Sequence, residues 1–140
     1  MAIVMIYLLD ASALLNDELF SFDAKNKHYT TSKVFAEWRD FRSRLLAENA
    51  ASTGSLIIQD PCPLSIQKTT EKCGQSGTRL SEADISIVAL ASEFKGRGQK
   101  FTVLTDDYSV QNILKKIGAD FSGAMHGEIK KHRSFKKKKK

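Results

Sequence analysis

Cysteine is scarce in this chain. Cys62 and Cys73 supply neither a disulfide framework nor, with only His28, His126 and His132 scattered elsewhere, a four-ligand zinc site. The histidines also lack the spacing of a ligand pair or a paired nucleophile, so histidine-based acid–base catalysis has no support. Long hydrophobic runs are missing. The longest, Ile3 to Leu9, falls far short of the roughly 18–20 residues of a membrane span. No basic leader precedes it and no small-residue cleavage site follows it, so no signal peptide is expected. Gly74-Gln75-Ser76-Gly77 lacks the Gly-Lys-Ser/Thr that a phosphate-cradling loop needs. No internal repeat is visible. These absences leave a cytoplasmic, soluble, single-domain protein with no membrane partner.

The composition supports a packed core: 41% of the 140 residues are hydrophobic, with eight Phe, three Tyr and one Trp. The net charge of +6 is unevenly spread. Eight of the 22 Lys/Arg (Lys130, Lys131, Arg133, Lys136, Lys137, Lys138, Lys139 and Lys140) lie beyond residue 129, with no acid among them. The first 129 residues therefore hold 14 cations against 16 carboxylates, a net of −2. The sequence divides into a slightly acidic domain, residues 1–129, and a basic, flexible tail, residues 130–140. Such a tail would hold RNA by releasing counterions from phosphates, strongly at low salt and without selectivity.

Strand and helix signals alternate. Ile3 to Leu9 and Phe101 to Leu104 read as strands buried on both faces, with Leu56 to Ile58 a shorter one and Ala119 to Phe121 a last edge strand. Residues 16–29 read as a short helix or loop with Phe20 and Phe22 tucked in. Val34, Trp38, Phe41 and Leu45 keep the 4-3-4 spacing of one core-facing helical stripe, which predicts a helix from Thr30-Thr31-Ser32 to about Glu48. Pro63 opens another, closed at Gly74. Ser81 to Asp84 starts a third, which Lys95 to Gly98 ends as a solvated turn. Val110 to Ile117 forms the last, stopped by Gly118. Both cysteines are expected to be buried. The alternation predicts an α/β fold, three layers with a central parallel sheet flanked by helices. In such folds ligands bind beyond the carboxyl ends of the strands.

Asp10 and the pair Asp106-Asp107 end the two best strands and so share that rim. Each also suits a turn or helix N-cap. Glu37 suits a solvated helix face and Asp84 the acid of a capping box with Ser81. Together they bring carboxylates from four segments to one place. Clustered carboxylates repel unless a cation neutralises them, and oxygen-only ligands select Mg²⁺ or Mn²⁺ over zinc. A site of that kind suits an in-line displacement at a phosphodiester.

Leu9-Asp10-Ala11-Ser12, Glu37, Leu80-Ser81-Glu82-Ala83-Asp84 and Thr105-Asp106-Asp107 resemble the motifs of a PIN-domain nuclease. Leu80 to Ile85 with Ala89-Leu90-Ala91, and Leu104-Thr105-Asp106-Asp107-Tyr108-Ser109-Val110-Gln111-Asn112, are similar to the Nob-type branch, endonucleases that mature the 3′ end of small-subunit rRNA. The resemblance spans residues 4–128. It implies a metal-dependent endoribonuclease leaving a 5′-phosphate and a 3′-hydroxyl. Asp10, Glu37, Asp84 and Asp107 would be the catalytic metal ligands, Asp106 a further one, and Ser12 and Thr105 auxiliaries. Precursor rRNA on the small ribosomal subunit, with an assembly factor, would be the partner.

The Nob-type pattern usually continues into a zinc ribbon with paired cysteines. Here Gly127-Glu128-Ile129 runs into the basic tail and no CxxC pair is present. The expectation is a lost ribbon or a tail that takes over RNA contact. Two other readings stand beside this one: a toxin-type PIN ribonuclease acting on tRNA or mRNA, and an inactive RNA-binding assembly factor. All four carboxylate positions are filled, against the last.

Overall fold

The apolar run that opens the chain gives only its second half to the sheet. A computed structural model of the chain describes residues 3–15 and 20–123. In it β1 is Ile6–Leu9, while Ile3, Val4 and Met5 remain exposed. The short helix α1, Ser12–Leu15, follows directly. The strand β2, Lys27–Thr30, falls where a helix or loop was expected. Its alternation is masked because the inward residues are His28 and Thr30, not aliphatics. His28 is buried against Tyr7, Phe20 and Phe22, and burial lowers its pKa.

The helix expected from Thr30 to Glu48 is two helices. The first, α2, Ser32–Glu37, is capped by the Thr31 hydroxyl, which accepts from the Val34 amide. It stops at Trp38, and Asp40 caps a new helix, α3, Phe41–Thr53, by accepting from the Ser43 amide at 3.0 Å. The capping bond holds the Asp40 carboxyl below its ordinary pKa. The break redirects the stripe: Val34 and Trp38 are buried, but Phe41 is 81% exposed and Leu45 is exposed too.

The rest follows the sequence reading closely. The strand β3 is Leu56–Ile58 and the helix α4 is Pro63–Ser76, with proline in its first turn and Gly77, not Gly74, in the left-handed cap at φ 69°. The thiol of Cys73 is buried, whereas Cys62 is exposed because it stands outside α4 as its N-cap. The helix α5, Glu82–Gly96, is the most buried, setting Ile87, Leu90 and Phe94 into the core. Then come β4, Thr102–Leu104, α6, Tyr108–Ile117, and β5, Phe121–Ser122.

All strands pair in parallel, in the order β3-β2-β1-β4-β5, and helices flank the sheet. The chain steps from β1 outward to β2 and β3, then returns to place β4 on the other side of β1. That reversal puts a topological switch point, and its ligand crevice, at the carboxyl ends of β1 and β4.

Candidate active site

Leu9 pairs with Leu104, so the residues that follow them, Asp10 and Thr105, emerge side by side at the switch point. The Asp10 amide continues the ladder, donating to the Leu104 carbonyl at 3.3 Å. Its carboxylate is 1% exposed and fully engaged. Oδ1 accepts from the Ser12 amide at 2.9 Å and the Ser12 hydroxyl at 2.6 Å, and Oδ2 accepts from the Thr105 hydroxyl. Ser12 Oγ in turn accepts from the Asp106 amide at 2.9 Å, and Thr105 Oγ1 from the Asp107 amide at 3.1 Å. Two hydroxyls thus lock the β1 rim to the β4 rim.

Asp107 caps α6: its Oδ1 accepts from the Ser109 and Val110 amides at 2.8 and 3.2 Å. Its N-cap role is therefore real, and it leaves Oδ2 without a hydrogen bond among the described residues. Asp106 is half-buried and joins the web through its backbone. Asp84 lies in the first turn of α5, where its amide donates to Ser81 Oγ at 3.1 Å, the capping expected from the sequence. Glu37 ends α2 and is exposed. Helix α2 is fixed to α5 by a buried bond between Thr31 Oγ1 and Ser86 Oγ at 2.7 Å.

The charges feel one another. Burial raises the Asp10 pKa to about 6, against the Ser12 and Thr105 bonds, and the Asp84 charge adds to the rise. Asp84 is raised too, first by burial, then by Asp107, with a further contribution from Glu37. Asp84 therefore couples to Asp10, Asp107 and Glu37 and links acids from four segments through one carboxylate. As they lie, no three His, Cys, Asp or Glu side chains among the described residues stand close enough to hold an ion. The residues available to a cation here are carboxylates alone, which is the donor chemistry of a hard divalent ion.

A family model, the PIN domain of ribonuclease, matches residues 7–94. The chain belongs to the PIN-domain ribonuclease family. It falls in the Nob-type branch, being 35% identical over 131 residues to Endoribonuclease Nob1 of Methanothermobacter thermautotrophicus, a match covering 92% of this chain and 74% of that one. Endoribonuclease Nob1 of Pyrococcus abyssi is 33% identical over 126 residues, covering 89% and 74%. The solved structure of VapBC2 from Rickettsia felis bound to a promoter DNA fragment superposes with a TM-score of 0.53 at 14% identity, over 85% of this chain and 98% of that one. That likeness establishes a shared fold.

Two residues that support this PIN domain's rim have only weak signals in the sequence. Trp38, expected as simple core packing, also donates its indole Nε1–H to the Ala11 carbonyl at 2.9 Å, tying the end of α2 to the turn after Asp10. Gln111 donates to the Thr105 carbonyl at 2.9 Å, one helical turn after Asp107. The tail cations Lys130, Lys131, Arg133 and Lys136 to Lys140 lie outside the described residues. Among the described residues no helix is long and apolar enough to cross a membrane.

Proposed function

We propose that this PIN-domain nuclease is a divalent-metal-dependent endoribonuclease that cuts precursor small-subunit rRNA during ribosome maturation. The observation that supports the reading is the like-charge coupling of Asp84 to Asp10, Asp107 and Glu37 at the switch-point rim, which a cation would relieve. The substrate class rests on the similarity to the two Nob1 endoribonucleases over most of the chain.

Asp10, Asp84, Asp107 and Glu37 would hold Mg²⁺ or Mn²⁺, with Asp106 at the edge of the set. The bound ion would supply Lewis acidity and charge neutralisation at the scissile phosphate. The chain's own residues do the positioning. Ser12 and Thr105 fix both oxygens of Asp10, and the α6 amides fix one oxygen of Asp107. The basic tail, residues 130–140, would hold the RNA near the site, with an assembly factor presenting it.

Cleavage of an RNA spanning the precursor rRNA 3′ end, with Mn²⁺, with Mg²⁺ and with chelator, tests the reading. Cutting with either ion, its loss in chelator and its loss in Asp84→Asn are expected. Chelator-resistant cutting would overturn the metal dependence, and cutting of tRNA in preference to the rRNA end would overturn the substrate.

A further inference from the structure

Away from the acidic rim, α4 and α6 leave between them, over the last turn of α5, a groove of about 440 Å³. Ile117 gives it an apolar wall above the fully buried Ile113, and Lys68, Lys72 and Lys95 line it. Glu93 is the one carboxylate in the lining, and it is already committed. Its Oε2 accepts from the Cys62 amide at 2.7 Å and its Oε1 pairs with Arg97 at 3.6 Å. None of the three lysines has an ion pair among the described residues. The Lys95 stem is also directed: a Cβ on Gly118 would stand 3.4 Å from its Cε, so it lies along the end of α6. Lys68 and Lys72 thus offer cations from α4 and Lys95 from the end of α5, its Cε and Nζ beside Gly118, and an anion in the groove would have positive charge to either side.

We propose that this groove binds the phosphate backbone of single-stranded RNA flanking the cleavage point, a second RNA-binding surface on the body of the domain. The inference rests on the ribonuclease reading above. Lys68 and Lys72 are one helical turn apart on α4, their Cβ atoms ~5–6 Å apart. That spacing suits successive phosphates of an extended strand, while the partly exposed Ile117 accepts ribose or base. Helix α5 connects groove and site. Asp84 sits in its first turn and Lys95 eleven residues later, a separation of roughly 17 Å along the axis at 1.5 Å per residue. A strand a few nucleotides long bridges that distance, so one RNA can occupy both.

The test uses the full chain and a labelled single-stranded RNA of about 20 nucleotides, long enough to reach both surfaces, in chelator so that binding is read without cutting. The wild type is compared with the triple variant Lys68→Gln/Lys72→Gln/Lys95→Gln, whose exposed positions leave the core untouched. The salt slope of log Kd should fall by about 2, at ~0.7 for each phosphate no longer neutralised. With metal, cutting of the long RNA at low substrate should drop about tenfold or more, and cutting of a tetranucleotide confined to the rim should be unchanged. An unchanged slope and affinity would overturn the groove as an RNA site. So would an acidic peptide that binds the wild type but not the variant, if RNA binding stays the same. Failure of either protein to cut any RNA would overturn the nuclease reading instead, and the binding arm would still decide the groove.

Discussion

Thr105 donates its hydroxyl proton to Asp10 across 95 positions of sequence, and the same oxygen accepts the Asp107 amide at 3.1 Å. One side chain therefore sets the position of an acid on β1 and of another at the start of α6. Thr105 is completely buried, so nothing from solvent substitutes for it. Thr105→Val keeps the shape and removes both bonds. If Asp10 holds the ion as proposed, activity should fall about 10–100-fold, the usual cost of losing a group that orients a metal ligand. The Mn²⁺ concentration for half-maximal cutting should rise, and Thr105→Ser should restore most of the loss. Wild-type kinetics in the valine variant would contradict this role.

The buried Asp10 carboxyl makes the metal-free protein sensitive to pH. Its folded pKa, about 6, lies above the ordinary 3.8. A raised carboxyl contributes stability that is complete below its unfolded pKa and lost as pH rises through its folded one. In chelator, this group should cost the wild type about 1.4 kcal/mol between about pH 5 and about pH 7, from 1.36 kcal/mol per unit. Asp10→Asn should remove that slope and stabilise the metal-free fold at neutral pH while abolishing cutting. Urea unfolding at the two pH values measures it. A variant less stable than wild type at neutral pH would show that the carboxylate is not under strain.

Where the sequence was legible, one physical rule decided the matter alone. Asp10 and Thr105-Asp106-Asp107 end apolar runs, and a parallel sheet delivers such residues to one rim. Asp84 was legible through Ser81. The illegible parts depended on the other half of the fold. Nothing local marks Lys27–Thr30 as a strand, because β2 buries His28 in an aromatic nest made by Tyr7, Phe20 and Phe22. The helical spacing runs unbroken from Val34 to Leu45, yet Asp40 restarts the helix and turns Phe41 outward. Glu37 could be named as a candidate, but its nearness to Asp84 depends on the packing of α2 against α5.

Trp38 supports the site at a distance from its charges. Trp38→Phe retains the buried ring but loses the bond to the Ala11 carbonyl, which should cost about 1 kcal/mol. Trp38→Ala should cost about 3–5 kcal/mol, because it also leaves a cavity. Thermal melts separate the two. The phenylalanine variant should also cut more slowly at saturating RNA, as the turn carrying Asp10 and Ser12 loosens. An effect on stability with none on cutting would confine Trp38 to the core.

The basic tail makes its own prediction from the sequence. Deleting residues 130–140 removes eight cations, and the salt slope of RNA binding should flatten by up to about 6 at ~0.7 per phosphate. Cutting at saturating RNA should persist. An unchanged slope would deny the tail any part in holding RNA.

The join between β1 and β4 also bears on synthesis. Ribosomes deliver Asp10 early and Thr105 nearly a hundred residues later, and the strands that carry them are immediate neighbours. An emerging chain that has made only its first three strands holds the first acid without its threonine, without Asp84's helix and without Asp107. On the proposed site, hydrolytic competence would await the second half of the domain, and a half-made copy would leave the RNA around it uncut.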